Sequence, residues 1–283
     1  MKTILLFTLF LGVGLIHAQE ETFSEITPNE ASADPQQLID LVNRGDVRAM
    51  NNLGLLWAKG VGLPKPNFEE AMRWWKEAAK RGYPLAMNNI GLLYANGHGV
   101  AKDPKKAYDW WMRAAELGNG WAMNNIGDLY ESGQGVEQSY PLALEWYQRG
   151  ADAGEGLAMF NVGSLNERGK GVAQDFKAAM KWYSLAADRG IAYAMNRIGH
   201  LLEEGKGLPP DLAEAYAWYT AAAGYYISAD TEDIALNAKD MQSLETRLSE
   251  SDKERAREMT ANLKERIEQK RKPRKLKAGE EAT

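Results

Sequence analysis

A six-residue motif occurs five times in this 283-residue chain, and its spacing constrains the fold more than any other feature. The copies begin at Ala49, Ala86, Ala122, Ala158 and Ala194, so successive copies are 37, 36, 36 and 36 residues apart. Each reads Ala-Met, then mostly Asn-Asn, then an apolar residue and Gly. A fixed period in this range is typical of repeat proteins, in which each unit packs only against its neighbours. The sequence therefore predicts a stack of short units and not one globular core.

The first part of each repeat has the residue spacing of an amphipathic helix. In the second copy Met87, Ile90, Gly91 and Tyr94 fall at i, i+3, i+4 and i+7, so they share one helix face. Glycine inside a helix costs about 1 kcal/mol relative to alanine. Its return in every copy predicts that a second helix crosses close to the backbone at Gly54, Gly91, Gly127, Gly163 and Gly199.

A turn and a second helix complete each repeat. A Gly-x-Gly pair predicts the end of the first helix, because glycine accepts the left-handed conformation that ends helices. Good N-cap residues then follow, at Asn67, Asp103, Ser139, Asp175 and Asp211. The second helix combines aromatic pairs with alanines, as in Trp74, Trp75, Ala78 and Ala79, which predicts that aromatic rings fill grooves left by small residues. Helices of about 12 residues are marginal alone, so stacking must stabilise them.

These patterns resemble the Sel-1-like repeat family, a branch of the tetratricopeptide-like superfamily. The resemblance rests on Leu/Ile-Gly-x-x-Tyr, Gly-x-Gly-Val-x-x-Asp and Lys-Ala-x-x-Trp-Trp/Tyr-x-x-Ala-Ala, repeated over residues 49–226. The last two copies depart from it, with Asn166 and Leu202 in the tyrosine position. The resemblance implies an all-α fold, a right-handed α-solenoid of five helix-turn-helix repeats whose first helices line an inner, concave surface.

The flanking segments have compositions of their own. Lys2, an apolar stretch over 4–16 and the small residue Ala18 are typical of an export signal, and a buried N-terminal helix is the alternative. A cluster of basic residues over 270–277 is typical of a solvated, disordered end, and contact with an anionic surface such as lipid head groups is the alternative. We therefore expect a signal peptide (1–18), a disordered linker (19–33), an N-terminal capping helix (34–48), five repeats (49–226), C-terminal capping helices (227–269) and a basic disordered tail (270–283).

Composition argues against several kinds of chemistry. The formal charge of −5 disfavours nucleic acid as the main ligand, because phosphate binding needs clustered positive charge. The chain has no cysteine, and its three histidines match no metal-binding motif. It also has no Ser-x-x-Lys nucleophile motif. The sequence therefore predicts a non-catalytic protein with no metal and no cofactor.

A row of asparagines on the first helices is the candidate binding surface. Asparagine is a poor helix former, so its recurrence needs a reason, and an amide can both donate to and accept from a peptide backbone. Nearby aromatics could supply anchoring pockets. The alternatives are local bonds between neighbouring helices and mere retention after duplication. The predicted binding residues are Asn51, Leu55, Asn88, Leu92, Trp121, Asn124, Asp128, Phe160, Tyr193, Asn196 and His200.

Together these observations predict an exported interaction scaffold, periplasmic or secreted, that binds a protein or peptide on its concave face. Many shallow contacts along one surface suit this role, with a few aromatics supplying most of the affinity. Two other functions stay open. One is a cell-envelope enzyme or a carbohydrate- or peptidoglycan-binding protein, whether β-lactamase-like or wall-modifying. The other is a secreted factor that acts on host proteins.

Overall fold

The computed structural model describes residues 35–61, 65–226 and 231–271. Within these ranges the chain forms thirteen α-helices and no β-strand. The predicted signal peptide, the linker and residues 272–283 of the predicted tail lie outside the described residues. In chain order the helices are α1 Pro35–Asn43, α2 Val47–Lys59, α3 Phe68–Lys80, α4 Pro84–Asn96, α5 Pro104–Glu116, α6 Gly120–Ser132, α7 Tyr140–Asp152, α8 Gly156–Arg168, α9 Phe176–Ala187, α10 Ala192–Glu204, α11 Leu212–Ala222, α12 Thr231–Glu245 and α13 Glu250–Arg271.

The helices pack in consecutive pairs, as an array of five repeats requires. The pairs are α2/α3, α4/α5, α6/α7, α8/α9 and α10/α11, and we number them repeats one to five. The chain divides into two compact units: unit one ends at Glu155 and holds repeats one to three, and unit two begins at Gly156 and holds repeats four and five. This confirms the predicted all-α repeat fold.

Side-chain caps fix the start of every second helix. The Oδ1 atom of Asp103 accepts a hydrogen bond of 3.0 Å from the backbone N–H of Lys106, in the first turn of α5. Asn67, Ser139, Asp175 and Asp211 cap the other four second helices in the same way. A good N-cap contributes about 1 kcal/mol, so these five residues set the helix boundaries that the sequence predicts.

The recurring glycine of each first helix lies where an aromatic ring crosses it. A Cβ atom added to Gly91 would lie 2.3 Å from Nε1 of Trp111, and one added to Gly127 would lie 2.5 Å from the ring of Tyr147. No side chain is compatible with such distances, so the predicted steric need is confirmed. The rings themselves are almost fully buried, since Trp111 is 4% and Tyr147 is 1% exposed.

The last two helices close the C-terminal end of unit two. Helix α13 packs along α11, where Ala213, Ala217 and Ala256 form a small apolar cluster. At opposite ends of α13, Arg255 pairs with Asp211 and Arg266 pairs with Asp188. Among the described helices, none is both long enough and apolar enough to cross a membrane.

Candidate functional site

The predicted asparagine row is buried in unit one. Asn51, Asn88 and Asn124 are 3%, 4% and 1% exposed. Leu55, Leu92 and Phe160, which also belong to the predicted surface, are buried as well. Six of the eleven predicted binding residues therefore lie inside the packing, where a ligand could not reach them without opening the repeat.

The buried amides bond from one repeat to the next. Nδ2 of Asn89 donates to Oδ1 of Asn51 over 3.0 Å, and Nδ2 of Asn125 donates to Oδ1 of Asn88 over the same distance. The Asn124 amide instead donates to the Asp128 carboxylate, at 3.2 Å. These bonds match the alternative in which the asparagines join neighbouring helices. Each satisfies polar groups that would otherwise be costly to bury.

The other five predicted residues are half-buried. They are Trp121 and Asp128 in unit one and Tyr193, Asn196 and His200 in unit two. In unit two, α12 already contacts two of them: Nδ2 of Asn196 donates to Oδ1 of Asn237 at 3.0 Å, and Nε2 of His200 lies 3.2 Å from Oδ2 of Asp240. The Tyr193 ring packs edge-on against Tyr226, with their centroids 5.7 Å apart.

A pocket in unit one surrounds Trp121. We name it the turn pocket, because its walls come from the turns between repeats one and two, two and three, and the end of repeat three. Its volume is about 280 Å³. Leu85, Leu117 and Trp121 supply apolar walls, and Leu117 is 52% exposed. Small residues also line the pocket, and the one charged side chain in the lining is that of Glu155.

The turn pocket is built on capped helix ends. The side chain of Asn119 accepts a hydrogen bond of 2.8 Å from the backbone N–H of Ala122 and so caps the start of α6. Gly118 adopts a φ of +81°, which lets the chain turn sharply between α5 and α6. Trp121 therefore projects from the first turn of a fixed helix and does not depend on a flexible loop.

Buried tyrosine–carboxylate pairs form a second polar feature. The Tyr147 hydroxyl donates to Asp128 at 2.6 Å and to Glu131 at 2.9 Å, and the Tyr183 hydroxyl donates to Glu167 at 2.6 Å. Burial, reinforced by the neighbouring carboxylates, raises the pKa of both Tyr147 and Tyr183 well above the ordinary tyrosine value. These hydroxyls therefore stay protonated at neutral pH and act as hydrogen-bond donors.

Comparison with known families decides what this architecture is. The Sel1 repeat family model matches residues 47–83, 84–119, 122–155, 156–191 and 192–223, more than half of the chain. The chain belongs to the Sel1 repeat family. Sel1 repeat proteins are in general protein-interaction scaffolds and not enzymes. The five matches begin within a few residues of the first helices, so the five Sel1 repeats are the helix pairs described above.

Among the solved structures similar to this one are two Sel1-like repeat proteins. The first is c5321, a protective antigen present in uropathogenic Escherichia coli strains that displays an SLR fold; its TM-score is 0.69 and its identity 27%, over 87% of this chain and 52% of that one. The chain thus spans about half the length of c5321. The second is a Sel1 repeat protein from Oxalobacter formigenes, with a TM-score of 0.64 and 28% identity, over 81% of this chain and 99% of that one. No curated protein matches the chain.

The turn pocket was only partly visible in the Sel1 sequence. The first-helix stripe predicts Trp121 as a binding residue but not Leu117 or Glu155, because these two follow the second helices. One signal in the sequence does point to Leu117. The residue before the turn glycine is arginine at Arg44, Arg81 and Arg189, but it is Leu117 and Ala153 in the two turns between.

Proposed function

We propose that this protein is an exported, non-catalytic adaptor that binds a protein or peptide partner at the turn pocket. The observation that supports this most is the pocket itself, an open surface depression of about 280 Å³ with the half-buried Trp121 in its wall. Tryptophan is enriched among the few residues that supply most of the energy in protein interfaces. A repeat scaffold holds such a residue in position before binding, which lowers the entropic cost.

The proposed binding residues are those that line the pocket. From the predicted set this is Trp121, joined by Leu85 and Leu117 of the pocket wall. The buried asparagines have a different role in this proposal: they fix the register of neighbouring repeats and so keep the pocket walls at a constant distance. A ligand that recognises the pocket then needs no rearrangement of the core.

Export is supported by the sequence of the N-terminal segment. The pattern of Lys2, the apolar stretch over 4–16 and Ala18 is typical of a secretory signal peptide. A fusion of residues 1–25 to a reporter that is active only outside the cytoplasm tests this part. We expect activity with the natural segment and loss of activity when Leu5 and Leu6 are both changed to Arg.

Site-specific photocrosslinking tests the binding site. A photoreactive phenylalanine analogue is introduced at Leu117, beside the pocket, in cells of the source organism. The matched control carries the analogue at Leu142, which is also an exposed leucine, at 40%, but lies on α7 outside the pocket lining. We expect a discrete adduct from position 117 and not from position 142.

A second variant ties the adduct to the pocket. Trp121→Ala in the protein that carries the analogue at 117 should weaken the adduct about tenfold or more, because the main apolar anchor is removed. Equal adducts from positions 117 and 142, or an adduct that is unchanged by Trp121→Ala with the fold intact, would show that the partner does not bind here.

A further inference from the structure

One turn of this chain is covered by an arginine from the following repeat, and a second turn by an arginine of α13. Nη1 of Arg81, at the end of α3, donates to the backbone carbonyl of Gly45, one repeat earlier, at 3.2 Å. The Arg81 guanidinium also pairs with Glu77 at 3.3 Å. At the other end of the array Arg271 covers the turn at Gly190, where its Nε atom lies 3.0 Å from the position of an added Cβ.

Arginine also stands before the turn glycine in unit two, at Arg189. Arg189 stands one repeat after Gly156, and its Cβ lies 2.9 Å from a Cβ added to Gly156. One repeat earlier in the chain, Ala153 has the equivalent relation to Gly120, with the corresponding distance 3.2 Å. Ala153 therefore occupies the position that Arg81 and Arg189 occupy in other repeats, but it has no side-chain atom beyond Cβ.

The missing side chain leaves the turn pocket open. Nothing lies within 4 Å of a Cβ added to Gly118, whereas the equivalent Gly45 is in contact with Arg81. Ala153 and Gly118 both line the pocket. The cavity is thus the space that an arginine occupies at the turn before repeat one.

We infer that the turn pocket takes an arginine side chain of the partner, which replaces the arginine that this chain lacks at Ala153. This inference rests on the proposed function. The aliphatic stem of the guest arginine would lie against Leu85 and Leu117, and its guanidinium would stack on the Trp121 ring and donate to the carbonyl of Gly118, as Arg81 donates to that of Gly45.

The charges around the pocket favour a cation. Glu155 is the one charged residue among the described residues that line it. The second helices α5 and α7 both end at the pocket, and helix carboxyl ends carry partial negative charge. The opposing N-terminus of α6 is capped by Asn119. Arginine fits better than lysine, because its flat, weakly hydrated guanidinium stacks on aromatic rings and has several donors for carbonyl groups.

An NMR titration tests the inference with a defined probe. The probe is acetyl-Gly-Gly-Arg-Gly-Gly-amide, and the matched peptides carry lysine or the neutral isostere citrulline in place of arginine. We expect the arginine peptide to shift the Trp121 indole resonance in a saturable way, with an affinity at least threefold higher than that of the lysine peptide and tenfold higher than that of the citrulline peptide. The Trp121 resonance is assigned from its loss in Trp121→Phe.

A filling variant supplies the decisive comparison. Ala153 is exposed, so Ala153→Arg should fold normally and restore the arrangement seen at Gly45. We expect it to weaken binding of the arginine peptide at least tenfold, whereas Gln148→Arg, which adds the same charge at an exposed site within α7, should not. Equal shifts from the citrulline peptide, or unchanged binding to Ala153→Arg, would overturn the inference. If the Leu117 photoadduct persists in that case, the proposed function stands and only the arginine assignment fails; if both are absent, both fail.

Discussion

Repeats one and two differ from repeats three to five in the aromatic ring that crosses the first-helix glycine. The first two use tryptophan, and its indole N–H donates to a backbone carbonyl of the first helix: Trp75 to Asn51 and Trp111 to Asn88, both at 3.1 Å. The last three use tyrosine, whose hydroxyl reaches further along the first helix and meets a carboxylate. These bonds are Tyr147–Glu131, Tyr183–Glu167 and Tyr219–Glu203, at 2.9, 2.6 and 3.3 Å.

The first helix changes together with the ring. At the position of Glu131, Glu167 and Glu203, the first two repeats have Ala58 and Ala95. Tryptophan satisfies its single donor locally and needs no side-chain acceptor, whereas a buried tyrosine hydroxyl without an acceptor would be costly. One repeat pattern therefore accommodates two sets of matched residues. If only one residue of a set is exchanged, a buried polar group loses its partner or a buried volume is no longer filled.

Removal of a tryptophan ring should have the largest effect. Trp111→Ala leaves a cavity opposite Gly91, and we expect a loss of about 3–5 kcal/mol in the free energy of unfolding. Chemical denaturation followed by circular dichroism measures it. The control is Trp110→Ala, since Trp110 is half-buried with Arg113 4.3 Å above its ring, and it should cost about 1 kcal/mol. Equal losses would contradict the packing described for Gly91.

The tyrosine set should respond to loss of one oxygen atom. Tyr147→Phe keeps the ring but leaves Asp128 and Glu131 without their shared donor, so we expect a loss of about 2 kcal/mol. Tyr225→Phe is the control, because the Tyr225 hydroxyl donates to Glu268 at an exposed site and its loss should cost under about 0.5 kcal/mol. A cost for Tyr147→Phe as small as that of the control would mean that the carboxylate pairing contributes nothing.

Alkaline pH should weaken the tyrosine repeats selectively. Burial raises the pKa of Tyr183 in the folded state. The contribution of Tyr183 to the free energy of unfolding is therefore fully present below the pKa of tyrosine in the unfolded chain, about 10, and is lost progressively as the pH rises above that value. Each such tyrosine lowers the unfolding free energy by about 1.4 kcal/mol per pH unit there. Denaturation at pH 9 to 11 should show a shallower pH slope for Tyr183→Phe than for the unmodified chain. Identical slopes would show that Tyr183 ionises equally in both states.

A complete exchange of one set should have the smallest effect. Tyr147→Trp alone sets a larger ring against Asp128 and Glu131 and should destabilise. With Glu131→Ala and Asp128→Leu added, repeat three carries the residues of repeat two, and we expect stability within about 1 kcal/mol of the unmodified chain. Thermal denaturation of the single and triple variants compares them. A triple variant less stable than Tyr147→Trp alone would refute the idea of two interchangeable sets.

The sequence predicts local features of this fold well, because they depend on one chain segment. The N-cap of Asp103 and the close crossing at Gly91 follow from residue type and period alone, and the structure confirms both. The burial of the Asn88 side chain was not predictable in this way. A helical stripe identifies a face, but whether that face meets solvent depends on how near the next repeat lies, and here Asn125 reaches it at 3.0 Å.

The candidate site was harder to predict, since it is defined by what one repeat lacks. Trp121 stands out as an aromatic on the first-helix side, but the pocket beside it exists because Ala153 is short. A residue that is small on an exposed helix end gives no signal by itself. It becomes informative only beside Arg81 and Arg189, which occupy the equivalent positions.

Asn237 of α12 has a consequence for how such chains grow. It forms with Asn196 a side-chain amide bond like the one that joins Asn51 to Asn89 in successive repeats, with donor and acceptor exchanged. Helix α12 therefore replaces one interaction that the first helix of a further repeat would make. A duplicated 36-residue segment inserted ahead of α12 would meet an unchanged terminator, so the number of copies can change during evolution without a new ending having to be invented.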